Sequence, residues 1–128
     1  MKKEVIYNSN MHIEHEQWKG ELNFWKEELF FLNERLDELV KRWKKKKVLE
    51  KLANYKNKFT ILKSDIDNML IEIEKHENEI APQSKINTSV LDEKLMKNHG
   101  DFRDSLEKQR HDYSDLKKSF FRFLSKHM

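Results

Sequence analysis

Hydrophobic residues recur along most of this chain with alternating spacings of three and four, the pattern of amphipathic helices with one apolar seam. The first series predicts a helix from about Met11 to about Lys45, with Ser9 or Asn10 as its N-cap. Its seam consists of Trp18, Leu22, Trp25, Leu29, Leu32, Leu36, Leu39 and Trp43. Three further aromatic residues are expected to broaden the apolar face: Phe24, Phe30 and Phe31. A wide face suits a bundle of three or four helices better than a two-stranded rod.

The second series predicts a helix from about Val48 to about Ile80. Its seam consists of Leu52, Tyr55, Phe59, Leu62, Ile66, Met69, Ile73, His76 and Ile80. Between the two series the apolar phase shifts at a run of four lysines, residues 44–47, where we place a turn. One continuous helix with a stutter in its heptads is the competing interpretation.

Residues 81–87 are predicted to form a loop, because Pro82 cannot donate a backbone hydrogen bond and usually ends a helix. Thr88 or Ser89 then caps a third helix. Its seam consists of Leu95, His99, Phe102, Leu106, Gln109, Tyr113, Leu116, Phe120, Phe123 and His127. Gly100 interrupts this series, and a kink there would divide the helix and give a fourth segment.

The fold class that follows is all-α: an antiparallel bundle of three long helices, or four if the third is broken at Gly100. The chain of 128 residues has the length of one domain, so residues 1–128 are expected to form a single unit. Only two glycines and one proline punctuate it, whereas eight Phe and three Trp argue against disorder.

The composition of the chain excludes several kinds of functional site. Without cysteine there can be no disulfide, thiolate zinc site or cysteine-bound iron–sulfur cluster. No apolar run reaches the roughly 20 residues of a membrane span, and the polar N-terminus lacks the apolar segment of a secretory signal, so we expect a cytoplasmic protein. The net charge of +3 is too small to indicate a nucleic-acid partner.

Three histidines on the seams are the main functional clue. Short connections make consecutive helices antiparallel. A turn centred between Lys45 and Lys46 pairs residues of the first two helices whose numbers add up to 91, so His15 faces His76. If the third helix runs parallel to the first with an offset of 84, His99 joins them. Chain direction alone therefore brings an imidazole from each helix to the same end of the bundle.

Three converging imidazoles can bind a transition metal, and zinc, copper and iron are not distinguished by the sequence. Three protein ligands leave a coordination position open, which His12 or Glu72, each one turn before a seam histidine, could fill or support. Two other interpretations stay open. The histidines could form a polar layer that fixes helix register, or they could line a hydrated end of the bundle.

Motifs for catalysis are missing from the sequence. The di-iron pattern requires Glu three residues before His, and no such pair occurs. The His-Glu-x-x-His motif of zinc proteases, a serine elbow and a Gly-rich phosphate loop are also absent. The sequence therefore favours a metal-binding protein without a defined enzymatic activity. The alternative is a structural or adaptor protein that binds a partner helix or a second copy of itself.

The strongest local charge feature is a run of cations around the first predicted turn: Lys41, Arg42, Lys44, Lys45, Lys46 and Lys47. Such a run can contact phosphates or an anionic membrane surface. It is also typical of a solvated turn whose lysines complement a helix dipole. We therefore treat these residues as a weak candidate for anion binding, and the absence of a recognition fold disfavours nucleic acid.

Several short segments carry a family resemblance. The opening from His12 to Trp18, with Glu21-Leu22-Asn23-Phe24 and Arg35-Leu36, resembles the start of a group of short bacterial helical proteins with an HxxHxxW opening. The segment from Asn57 to Glu77 and the stretch from His99 to Arg103 are similar to the same group. The resemblance covers most of the chain and implies a helical fold, but no activity, substrate or cofactor.

Overall fold

The structure is a computed structural model that describes the backbone of residues 2–86 and 89–127, and the side chains of residues 11–79 and 93–127. Over these ranges the chain is all-helical and contains no strand, as the periodicity predicts. The helices are α1 (Lys2–Arg42), α2 (Lys46–Ile86) and α3 (Ser89–His127). Residues 43–45 separate α1 from α2, so the alternative of one continuous helix is wrong.

Helix termini differ from the predicted bounds. α1 begins at Lys2, so the prediction that Ser9 or Asn10 caps it is wrong. Serine and asparagine inside a helix cost less than about 1 kcal/mol each, so the helix can continue through both residues. α2 continues through Pro82 to Ile86, which overturns the predicted loop over residues 81–86. A proline inside a helix costs about 3 kcal/mol, which a helix of 41 residues can offset through its other interactions. Residues 87 and 88 lie outside the described residues, and with them the predicted cap at Thr88.

α3 passes through Gly100 without a break, so the four-helix alternative is not supported. The penalty for glycine inside a helix is only about 1 kcal/mol relative to alanine. The seam on either side of Gly100 is buried, at His99 and at Leu106. Burial of the apolar face therefore outweighs the local preference.

The predicted seams account for most of the buried side chains, and Met11, Val48 and Leu124 are buried outside them. None of the seam residues with a described side chain is exposed, and eight of them are half-buried: Trp43, Tyr55, Met69, His76, Phe102, Gln109, Leu116 and His127. The prediction for the three further phenylalanines is wrong. Phe24, Phe30 and Phe31 are 56%, 59% and 66% exposed, so they do not broaden the core. Each is one residue away from a seam position, a rotation of about 100° around the helix.

The chain divides into two compact units, the first formed by Met1–Met11 with His76–Met128 and the second by His12–Lys75. In the second unit, three ion pairs join α1 to α2: Lys19 with Glu74 at 2.6 Å, Lys26 with Asp67 at 2.8 Å, and Asp37 with Lys56 at 3.0 Å. The numbers of the partners add up to 93 each time, which requires the two helices to run in opposite directions.

These ion pairs also bear on the predicted register. Every charged partner follows a seam residue directly in the sequence, as Lys19 follows Trp18 and Glu74 follows Ile73. The two seam residues that precede the partners of each ion pair therefore have numbers that add up to 91. This is the sum predicted for seam residues of α1 and α2 that share a layer. The register expected for α1 and α2 therefore agrees with the ion pairs.

The first unit has a small apolar cluster of its own, in which Met11 and Leu95 are buried and Met96 packs against them half-buried. Further along α3, Leu106, Tyr113 and Phe120 are buried at heptad spacing. Among the helices of the described residues, none has a stretch long and apolar enough to cross a membrane.

Candidate metal centre

His15 occupies a seam position of α1, three residues before Trp18, and its side chain is completely buried. The two rings lie against each other, with centroids 5.6 Å apart and planes inclined by 50°. The helix places them there because residues three apart lie on the same face. The sequence predicted both as seam residues, but their direct contact was missed, although the three-residue spacing would have indicated it.

His76 and His99 form a stacked pair in the first unit. Their ring centroids are 5.5 Å apart, and the ring planes differ by only 26°. His99 is 3% exposed, whereas His76 is half-buried. Each follows an apolar seam residue by three or four positions, His76 after Ile73 and His99 after Leu95. The heptad pattern of α2 and α3 therefore turns both rings inward.

One potential ligand atom from each of His15, His76 and His99 lies within 4.8 Å of the other two. Among the described residues, these three form the one group of His, Asp or Glu side chains close enough together to hold a metal ion. The prediction that the three seam histidines converge is confirmed.

The buried nitrogens of these three rings indicate which metals they could bind. Nε2 of His15, Nε2 of His76 and Nδ1 of His99 are buried nitrogens that make no hydrogen bond to the described residues. The three residues do take part in other interactions. Neutral imidazole nitrogens in such a setting are ligands for zinc, copper, cobalt, nickel and iron, whereas calcium and magnesium prefer oxygen.

The separation of the three nitrogens is compatible with coordination after small side-chain shifts. A tetrahedral zinc ion bound at 2.0–2.1 Å holds its ligand nitrogens about 3.3 Å apart. Ligand atoms within 4.8 Å of one another need to approach by at most about 1.5 Å, which rotation about side-chain bonds can supply.

His12 and Glu72, the two further ligands predicted from the sequence, are exposed and do not belong to the group of three. Their predicted role as additional or supporting ligands stays a prediction. Among the described residues no fourth ligand belongs to the group, so a tetrahedral ion held by these three alone would keep one position for water or a small ligand.

The ion pair between Lys19 and Glu74 lies close to two of the histidines in sequence. Lys19 is one turn after His15 on α1, and Glu74 is two residues before His76 on α2. The hydrogen bond from Lys19 to Glu74 is the main reason why the pKa of Lys19 is raised above its ordinary value, and the charges of Glu74 and Glu16 add to the shift. The lysine therefore stays protonated throughout the neutral pH range.

The basic residues around residues 43–45 form the second candidate site. The side chains of Lys41, Arg42 and the lysines at positions 44–47 are all exposed. Within the described part of the chain, none of the six takes part in an ion pair. Their predicted role in anion binding stays a prediction.

Comparison with known proteins does not add a family assignment. No protein-family model, no curated protein and no solved structure matches this chain.

Proposed function

We propose that this protein binds a transition-metal ion through His15, His76 and His99, with the ligands supplied by three helices packed as an antiparallel bundle. The observation that carries the proposal is the approach of one ligand atom from each ring to within 4.8 Å of the others. Zinc, copper and iron all fit an imidazole donor set. No protein thiolate or carboxylate in the group favours one of them.

Burial supports metal binding over a purely hydrated end of the bundle. His15 and His99 are 0% and 3% exposed, so water has little access to these two rings. Buried imidazole nitrogens are stabilised by a ligand or a hydrogen bond. A bound cation would supply that interaction to all three imidazoles at once.

The test is a titration of tag-free protein, first stripped of metal with a chelator, with Zn²⁺ and Co²⁺. We expect one equivalent to bind, and bound Co²⁺ to show the intense visible absorption of a tetrahedral complex. The variant His76→Ala should lose most of this binding. His76 is only half-buried, so its replacement is the least disruptive of the three changes.

Two controls make the outcome decisive. His111→Ala removes an imidazole whose side chain is 81% exposed, and it should bind metal like the unmodified protein. His12→Ala tests the predicted supporting ligand separately. Circular dichroism of each variant establishes that the helices are intact. Negligible binding by the unmodified protein, or equal binding by the His76→Ala variant, would leave the polar-layer interpretation in its place.

A second candidate function has an observation of its own. Phe30 and Phe31 are exposed, with their rings 5.8 Å apart in an edge-to-face arrangement, and Phe24 lies exposed one heptad before Phe31. An apolar strip on the outer side of α1 is the type of surface that binds a partner helix or a second copy. A molecular mass that rises with concentration, and that returns to the monomer value on Phe31→Ser substitution, would support this adaptor function.

A further inference from the structure

The six cations around residues 43–45 are here called the basic turn: Lys41, Arg42, Lys44, Lys45, Lys46 and Lys47. They occupy six of seven consecutive positions, and no acidic residue occurs between Glu38 and Glu50. The whole chain has 26 basic and 23 acidic residues, so 20 basic and 23 acidic residues remain outside the turn, a net charge of −3. The overall positive charge of the protein is therefore due to this one segment.

Three lysines elsewhere in the same unit are used differently. Lys19, Lys26 and Lys56 neutralise carboxylates on the neighbouring helix. The cations of the basic turn are all exposed, and within the described residues none forms an ion pair. Six like charges held this close together repel one another and weaken the fold locally. An anionic partner would relieve that repulsion.

Two features of the backbone add to the positive potential of the basic turn. α2 begins at Lys46 with no acidic residue in its first turn, so nothing offsets the positive end of its dipole. The short connection of residues 43–45 also keeps the cations of both helix ends close together. Charge is thus concentrated in one short segment of the chain.

Apolar side chains in and beside the basic turn favour a lipid surface over nucleic acid. Val40 precedes the turn directly and is 43% exposed, and Trp43 within it is half-buried. Valine has no role in contacting phosphates, whereas an exposed apolar side chain among cations can enter the interface of a bilayer. Tryptophan is likewise enriched at the depth of lipid head groups.

We propose that the basic turn docks this protein on an anionic phospholipid surface, with its cations against the head groups and Val40 at the interface. This binding is peripheral and independent of the histidine cluster. Clusters of four to eight Lys or Arg on an amphipathic helix are typical of such docking, and each cation contributes about a fivefold gain in affinity.

The test is co-sedimentation with vesicles of phosphatidylserine in phosphatidylcholine, in chelator and at physiological salt. A variant with Lys44, Lys45, Lys46 and Lys47 changed to Gln should bind these vesicles at least roughly 100-fold more weakly. The matched control changes four exposed lysines outside the turn to Gln, namely Lys51, Lys63, Lys75 and Lys97. It alters the net charge equally and should retain most of the affinity.

A second variant separates lipid from nucleic acid. Val40→Ser leaves every charge in place and should weaken vesicle binding by roughly threefold, because it removes apolar contact with the bilayer. The proposal is overturned if pure phosphatidylcholine vesicles bind equally well, or if the two lysine variants behave alike. It is also overturned if duplex DNA binds as tightly as the anionic vesicles and Val40→Ser has no effect on either.

Discussion

Replacing Gly20 and Gly100 by alanine tests whether the long helices are continuous. Both glycines lie inside helices, Gly20 in α1 and Gly100 in α3. An added Cβ would meet no atom of the described residues within 4 Å at either position. The substitutions therefore introduce no clash, and their effect should come from helix propensity and from reduced freedom of the unfolded chain.

The expected magnitude follows from these two contributions. Alanine is favoured over glycine in a helix interior by about 0.8–1.0 kcal/mol, so each substitution should raise the free energy of unfolding by about that amount. For a chain of this length, 1 kcal/mol corresponds to about 3–5 °C in the melting temperature. The double variant should therefore melt about 5–10 °C higher, provided that the two effects add.

Urea and thermal unfolding followed by circular dichroism measure these changes. Lys108→Ala provides the control, because Lys108 is exposed on α3 and differs little from alanine in helix propensity, so its effect should stay within about 0.5 kcal/mol. A Gly100→Ala variant less stable than the unmodified protein by 1 kcal/mol would refute the reasoning. It would mean that residue 100 requires a conformation that only glycine adopts easily, as in a broken α3.

Three further predictions concern the core, the charges and the histidines. Phe59→Ala should lower the free energy of unfolding by about 3–5 kcal/mol because its ring is fully buried, whereas Phe31→Ala should change it by less than about 0.5 kcal/mol; similar losses in urea denaturation would contradict the burial pattern. A double-mutant cycle of Lys19 and Glu74 should give a coupling of about 0.5–1 kcal/mol. Because the pKa of Lys19 is raised on folding, this coupling should persist at neutral pH and up to the ordinary lysine pKa, and disappear as the pH rises through the raised value. His15→Leu should abolish metal binding without destabilising the metal-free protein, since an apolar side chain replaces a buried imidazole; a loss of 2 kcal/mol or more in its unfolding free energy would favour a structural polar layer.

The sequence predicted the buried faces well because burial follows directly from periodicity. Seam positions such as Leu22, Leu29 and Ile66 recur every three and four residues, and only one side of a helix can contain all of them. The same argument placed His15 and His99 on the seams, and both are buried although imidazoles are polar. Their place in the heptad series was more informative than their chemistry.

Helix ends and outer aromatic residues could not be predicted in the same way. Pro82 has a strong local preference against helix, but the helix around it is long, and local rules do not measure what the rest of the segment contributes. Phe24 and Phe31 are as hydrophobic as Phe59, and only their phase distinguishes exposed from buried rings. The phase of a phenylalanine in the heptad series, more than its hydrophobicity, therefore decides whether its ring is buried.

Charged residues beside the seams give α1 and α2 a preferred alignment. If α2 slipped by one heptad in one direction, Lys26 would meet Glu74 and Asp37 would meet Lys63, but Lys19 would lose its acidic partner. A slip in the other direction would leave only Lys19 with an acidic partner. The observed alignment is the one of the three in which all three ion pairs form.

Lys19 and Glu74 therefore form the ion pair that is lost in the nearest competing alignment. Lys19 lies four residues from His15 on α1, and Glu74 lies two residues from His76 on α2. A heptad slip exchanges one apolar seam residue for another, but it would carry the two histidines out of a shared layer. This ion pair favours the observed alignment by only about 0.5–1 kcal/mol. A metal ion present at 100 times its dissociation constant would favour the alignment that binds it by about 2.7 kcal/mol. If the proposed site is correct, the metal therefore fixes the register of these helices more strongly than the charges do.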